Sequence, residues 1–251
     1  MSVPQGLVRL SHDLGEPSHR LTTFGEGNTS ARVDEQLWIK ASGRQLWGIE
    51  AGGFCHVTLA PLAAAVESSD ALSDAEVHRL LTLGTGPKPS VEAFMHAWLL
   101  GLPGVEYVGH VHGEATLALL CTVAGREICS KRYYPDEVVL CGPATLWVPY
   151  VDPGLALARE IAVRCSSWIA EHGSYPRLIA LQNHGTIALG SGPEIVRAAL
   201  LTAEKAARIV IAALSTGSEV VALSPWSVQR IADRADEHER QATIWSRETA
   251  P

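Results

Sequence analysis

The stretch GHVHGEAT, residues 109–116, sets His110 and His112 one residue apart in a valine-rich run. Alternate side chains of a strand share a face, so both imidazoles would point the same way. Charged together they repel; buried neutral, both need hydrogen-bond partners. One metal ion satisfies both at once, the other reading being a pair of hydrogen-bonded core histidines. Catalytic zinc takes three protein ligands and keeps a position open. A third candidate is His184 in QNHGTI, on a tight turn between two apolar strands, where Gly185 lets the backbone come close. Strand-end turns often carry function, although Asn-His-Gly is also an ordinary turn signal. No Cys-x-x-Cys pair occurs among the five cysteines, so a metal site here must come from histidines and carboxylates.

A proton-transferring carboxylate is the next requirement. In PSVEAFMHAWLL, Glu92 falls in the first turn of an expected helix, where an acidic residue also simply complements the helix dipole. Beside a metal-held carbonyl compound it could take a proton from the adjacent carbon. His96, one turn on, is either a partner behind the site or a packed side chain. The early stretch FGEGNTSAR (24–32) is no P-loop, and Ser30 stands where a dinucleotide fingerprint ends in glycine. Amides around Gly25 and Gly27, with Asn28, could still form an anion nest, and IKASG (39–43) offers Ser42 and the Gly43 amide. Each alone reads equally as a turn. Lys40 is read as structural or anion-facing.

These residues need elements to hold them. Strands are expected at 33–40, 55–58, 105–112, 177–182 and 186–190, with one or two more in 136–150. Helices are expected at 74–83, from Ser90 to Gly101, over 114–121 and over 193–214, with a final amphipathic one at 226–245. Another runs from an Asp152 cap and Pro153 to Gly173. Helices interspersed with strands predict an α/β fold, and short connections predict a mixed, mainly antiparallel sheet with helices on both sides. With no repeat and no domain-length linker, residues 1–251 are expected to form one domain. Its motif-bearing core spans about 8–215, and a C-terminal helix or tail follows over 216–251.

A chain of 251 residues, 47% hydrophobic and 19% charged, can build a substantial core. A net charge of −7 without a long basic cluster argues against nucleic acid or an anionic membrane as partner. No run approaches the ~18 apolar residues of a membrane span, and the N-terminus lacks a signal-peptide core. The odd, scattered cysteines are expected to be buried free thiols, which points to a reducing cytoplasm.

GEGNTS, KASG, PSVE, HVH and NHG, in that order, resemble the class II aldolase/adducin family, whose type enzymes are zinc-dependent sugar-phosphate aldolases. The likeness covers roughly residues 8–215. It implies a single-domain class II aldolase-like fold, a homotetramer with shared active sites, and zinc, replaceable by manganese or cobalt, on His110, His112 and His184. It implies Glu92 as acid/base, and Gly27, Asn28, Ser42, Gly43 and Ser90 around a phosphate. A tyrosine from a neighbouring subunit serves as proton donor in the family, and Tyr133 or Tyr134 in SKRYYPDE stands at about the right distance. Two departures are visible: Val91 replaces a phosphate-holding serine, and no tyrosine follows Tyr175. The implied activity is retro-aldol cleavage of a ketose phosphate or related hydroxy-carbonyl compound through a metal-stabilised enediolate. The same scaffold hosts epimerases, dehydratases and decarboxylases, and adducin-like interaction modules that lack the histidines.

Overall fold

β-Branched and aromatic residues flanked by apolar neighbours build a sheet of seven strands. They are β1 (Asn28–Val33), β2 (Gln36–Lys40), β3 (Phe54–Thr58), β4 (Tyr107–Val111), β5 (Leu146–Val148), β6 (Leu178–Leu181) and β7 (Gly185–Gly190). The order across the sheet is β3-β2-β1-β4-β7-β6-β5. Its pairings are antiparallel except that of β5 with β6, so the sheet is mixed and mainly antiparallel, as expected. The computed structural model describes residues 2–236.

The helices are α1 (Gln5–Gly15), α2 (Leu59–Glu67), α3 (Asp74–Leu81), α4 (Ala93–Leu100) and α5 (Glu114–Leu120). After them come α6 (Gly125–Ser130), α7 (Pro135–Cys141), α8 (Leu155–His172), α9 (Pro193–Leu214) and α10 (Pro225–Ala232). One face of the sheet packs against α2, α4 and α8, through residues such as Leu62, Phe94, Leu99 and Ile161 against Ile39, Val108 and Ile187. The opposite face takes α1 and α9, through Leu10, Leu14, Val196 and Leu200 against Val111 and Ala188. Helices therefore cover both sides. Phe94 is fully buried, and truncating such a residue to alanine typically costs ~3–5 kcal/mol.

Several boundaries differ from the sequence reading. The β1 strand starts inside GEGNTS, at Asn28, and a turn at Asp34 (φ 52°) separates it from β2. The 136–150 region holds helix α7 before the short β5. Pro135 at its first position and Asp136 and Glu137 in its first turn favour a helix over the β-propensity of Val138 and Val139. The α8 helix begins at Leu155 after Gly154, not at Pro153, and the Asp152 carboxylate accepts from the Tyr150 hydroxyl instead of capping. Gly173 ends α8 in the left-handed region, as expected. The N-terminal helix α1 was not anticipated. The final helix stops at Ala232, and the rest of the expected 226–245 span lies largely outside the described residues. All five cysteines are free; Cys121, however, is exposed rather than buried. Among the described residues no helix is long and apolar enough to cross a membrane.

Candidate metal and acid–base site

His110 sits near the end of β4 on the face covered by α4, opposite Asn28 of β1 and Ile187 of β7. His112 follows the strand's last residue, and its amide donates to the Leu21 carbonyl. His184 belongs to the hairpin between β6 and β7, where Asn183 takes the left-handed conformation (φ 55°) that asparagine tolerates. Gly185 is needed for close approach, because a Cβ there would run into the Val111 carbonyl and the rings of His110 and His112. Residues 72 positions apart thus converge: the three ring centroids lie 4.8, 4.9 and 5.1 Å from one another.

The donor chemistry fits a cation. His110 Nδ1 lies 3.1 Å from the Thr186 carbonyl. A carbonyl only accepts, so Nδ1 carries the proton and Nε2 presents a lone pair inward. His112 Nε2 stands 3.0 Å from that atom, and one candidate ligand atom from each histidine lies within 4.8 Å of the others. Burial, reinforced by the His110 and His184 rings, pushes His112 down to about 3, so it is neutral at pH 7. These three residues could hold a metal ion.

Glu92 immediately precedes α4, with its carboxylate turned into this cluster. Its Oε1 is 3.2 Å from His184 Nε2 and 3.4 Å from His110 Nε2, and its Oε2 accepts from Asn28 at 2.6 Å. Burial pushes the carboxyl up, but the His110 and His184 rings beside it and the hydrogen bond that Asn28 donates outweigh it. They hold Glu92 well below the ordinary carboxylate range, hence ionised. The Asn28 side chain is 3% exposed and joined to His96 as well as Glu92, so its amide group is engaged there rather than turned to a phosphate.

The other expected anion-holding residues gather beside it. Gly27 (φ 65°) passes so near the His110 carbonyl that a Cβ would lie 2.7 Å away. Exposed Ser42 and Gly43 form a turn against Pro89, with the Ser42 amide donating to Lys88 and a Cβ on Gly25 coming 3.4 Å from Gly43. Lys40 Nζ donates to the Gly25 and Arg44 carbonyls at 2.8 and 2.6 Å and so ties these two loops together. Burial lowers Lys40 to about 8, against the pull of Glu92. The Ser90 hydroxyl accepts from the Glu92 amide, and Val91 is exposed between them.

Tyr133 and Tyr134 lie elsewhere in the chain. The Tyr133 hydroxyl donates to Ile128, and the ring packs against the Ala115, Leu119 and Val210 cluster, while the Tyr134 hydroxyl donates to Thr202. Burial pushes Tyr133 up to about 12. Sequence reasoning missed the buried Glu204 of α9. Its carboxylate accepts from the Ala115 and Thr116 amides and the Thr116 hydroxyl, capping the helix that leaves His112. Nothing local marks it, since residues 204 and 115 meet only in the fold.

The model of the Class II Aldolase and Adducin N-terminal domain matches residues 5–211. The chain belongs to this family. A relative in Bacillus subtilis (strain 168), the uncharacterized oxidoreductase YuxG, is 26% identical over 207 aligned residues, 76% of this chain. The match spans only 27% of that relative's length. Among solved structures, YgbL from Klebsiella pneumoniae, described as a candidate aldolase/epimerase/decarboxylase, superposes with a TM-score of 0.67. It is 23% identical, and the match covers 90% of this chain and 95% of that one. L-fuculose 1-phosphate aldolase superposes at 0.66, with 16% identity over 92% and 97% of the two chains. At these identities the likeness establishes the class II aldolase fold.

Proposed function

We propose that this protein is a zinc-dependent aldolase that cleaves a ketose phosphate or related hydroxy-carbonyl compound by retro-aldol chemistry. The observation that carries the reading is Glu92, ionised and aimed at the centre of a three-histidine cluster. His110, His112 and His184 would hold the ion, and three imidazole ligands suit zinc, with manganese or cobalt as substitutes. When bound, the ion supplies Lewis-acid polarisation of a carbonyl oxygen.

The chain's own residues do the rest. Asn28 holds one oxygen of Glu92, which leaves Oε1 facing the cluster to take or return a proton at the carbon next to the substrate carbonyl. The Gly27 and Gly43 amides, Ser42 and Ser90 line the flank where an anionic group would sit, and the Lys40 charge lies beneath the two loops. Val91 leaves one phosphate oxygen without a hydroxyl partner, so Val91→Ser should lower KM for a phosphorylated substrate and Ser42→Ala should raise it. Tyr133 or Tyr134 would serve a neighbouring subunit's site in a homotetramer. The five free thiols accord with a reducing cytoplasm.

The test is to incubate zinc-loaded protein with ketose phosphates, each beside its unphosphorylated sugar, and identify products by mass spectrometry. Two shorter carbon fragments make it an aldolase. A stereoisomer, loss of water or loss of carbon dioxide assigns it instead to the epimerases, dehydratases or decarboxylases.

A further inference from the structure

We propose that His96 and Ser30 are positioning residues for Glu92, acting through Asn28 in a hydrogen-bond chain with one fixed direction. The inference rests on the reading of Glu92 as acid/base. An ionised carboxylate only accepts, so Asn28 Nδ2 must be the donor to Glu92 Oε2 at 2.6 Å. That choice turns Asn28 Oδ1 toward His96 Nε2, with which it is in hydrogen-bond contact. An amide oxygen also only accepts, so His96 carries its proton on Nε2. Its Nδ1 then has a lone pair, and the Ser30 hydroxyl donates into it at 2.6 Å.

Each group in the chain therefore has one role. Ser30 and His96 are fully buried, Asn28 is 3% exposed and Glu92 9%. Reversing Asn28 would set its carbonyl oxygen against the Glu92 carboxylate, acceptor against acceptor, at 2.6 Å. The chain excludes that flip. Burial, the largest cause, lowers His96 to about 3 and keeps it neutral, as the donor–acceptor sequence requires. Asn28 is also the register partner of His110, so the chain is anchored in the strand pair that carries the first histidine. Its consequence is that Oε2 is held while Oε1 alone faces the cluster.

Two measurements on the zinc-loaded full chain test this. Histidine 15N NMR, with the His96 signals assigned by their absence in His96→Gln, should show a neutral ring protonated on Nε2 at pH 7. In substrate proton exchange, His96→Phe should lower kcat about 10–100-fold, as for a lost hydrogen bond behind a charged group, with KM and zinc content unchanged. His96→Gln, whose side-chain amide can still donate to Asn28, should recover most of that loss, and Ser30→Ala should lose less than the Phe variant. An Nδ1-protonated or charged His96, or a Phe variant within about twofold of wild-type kcat, overturns the proposal. If the wild type exchanges no substrate proton, the acid/base reading fails, and the NMR tautomer alone decides for or against the chain. The same reading decides if the Phe variant does not fold.

Discussion

Asn28 stands directly opposite His110 across the β1–β4 ladder. Opposed residues of an antiparallel pair share a face. The residue that aims Glu92 and a histidine of the candidate metal cluster are therefore fixed to each other by backbone hydrogen bonds, not by loop geometry. The site's precision comes from the sheet; His112, His184 and Glu92 are then brought to it by a strand end, a hairpin and a helix start.

Metal binding should depend on all three histidines. Zinc at a hundredfold excess over its Kd would stabilise the wild type by ~2.7 kcal/mol. His110→Ala, His112→Ala and His184→Ala should each show no zinc-dependent rise in Tm and should carry no ion by elemental analysis. Wild-type metal content in any one of them removes that residue from the ligand set.

Glu204→Ala removes the acceptor of two backbone amides at the start of α5. A buried donor left unpaired costs about 1–3 kcal/mol, so with two amides the variant should lose roughly 2–6 kcal/mol of stability. Urea unfolding should show a lower midpoint at unchanged slope. A midpoint within error of wild type would mean that the amides find other partners.

Acid should destabilise the fold through His96. Its native value lies near 3, against about 6.5 for an exposed histidine. Between those values the unfolded chain binds the proton and the native one does not, so stability falls as pH drops from about 6.5 toward 3. The slope is ~1.4 kcal/mol per pH unit for this one group. Replacing it by Gln should remove about one proton from the slope of unfolding free energy against pH, measured on metal-free protein. Identical slopes would show that His96 protonates in the native state.

If Tyr133 or Tyr134 completes a neighbouring site, hybrid oligomers should reveal it. Mixing His110→Ala chains with chains carrying Phe at the relevant tyrosine should restore part of the activity lost by each. Verified mixed oligomers with no recovery would place the proton donor elsewhere.

The ordered motifs made the fold and the candidate residues legible because each is a short signal of fixed chemistry. HVH is visible through strand alternation, and NHG through the left-handed turn that Asn183 adopts. The sheet's mixed character followed from connection lengths. The α7 helix was not legible because Val138, Val139 and Leu140 read as strand, and only Pro135 with the acidic first turn argued otherwise. The roles of Asn28, Ser30 and His96 were hidden for another reason: their contacts span 64 to 68 residues of sequence and exist only once α4 lies over β1. Asn28 looked like a loop donor to an anion because the start of β1 lies inside a glycine-rich stretch.

The central claim is that Glu92 moves a proton at the carbon beside a metal-held carbonyl. It is tested most directly by solvent deuterium exchange into dihydroxyacetone phosphate, a candidate nucleophile product, with zinc-loaded wild type and Glu92→Gln. The variant keeps side-chain size and polarity, so zinc content and fold should persist. Exchange should be rapid with wild type, fall ~10²–10⁴-fold in the variant, as for loss of a positioned acid/base, and vanish on zinc removal. Equal exchange by the two zinc-loaded proteins would contradict the account.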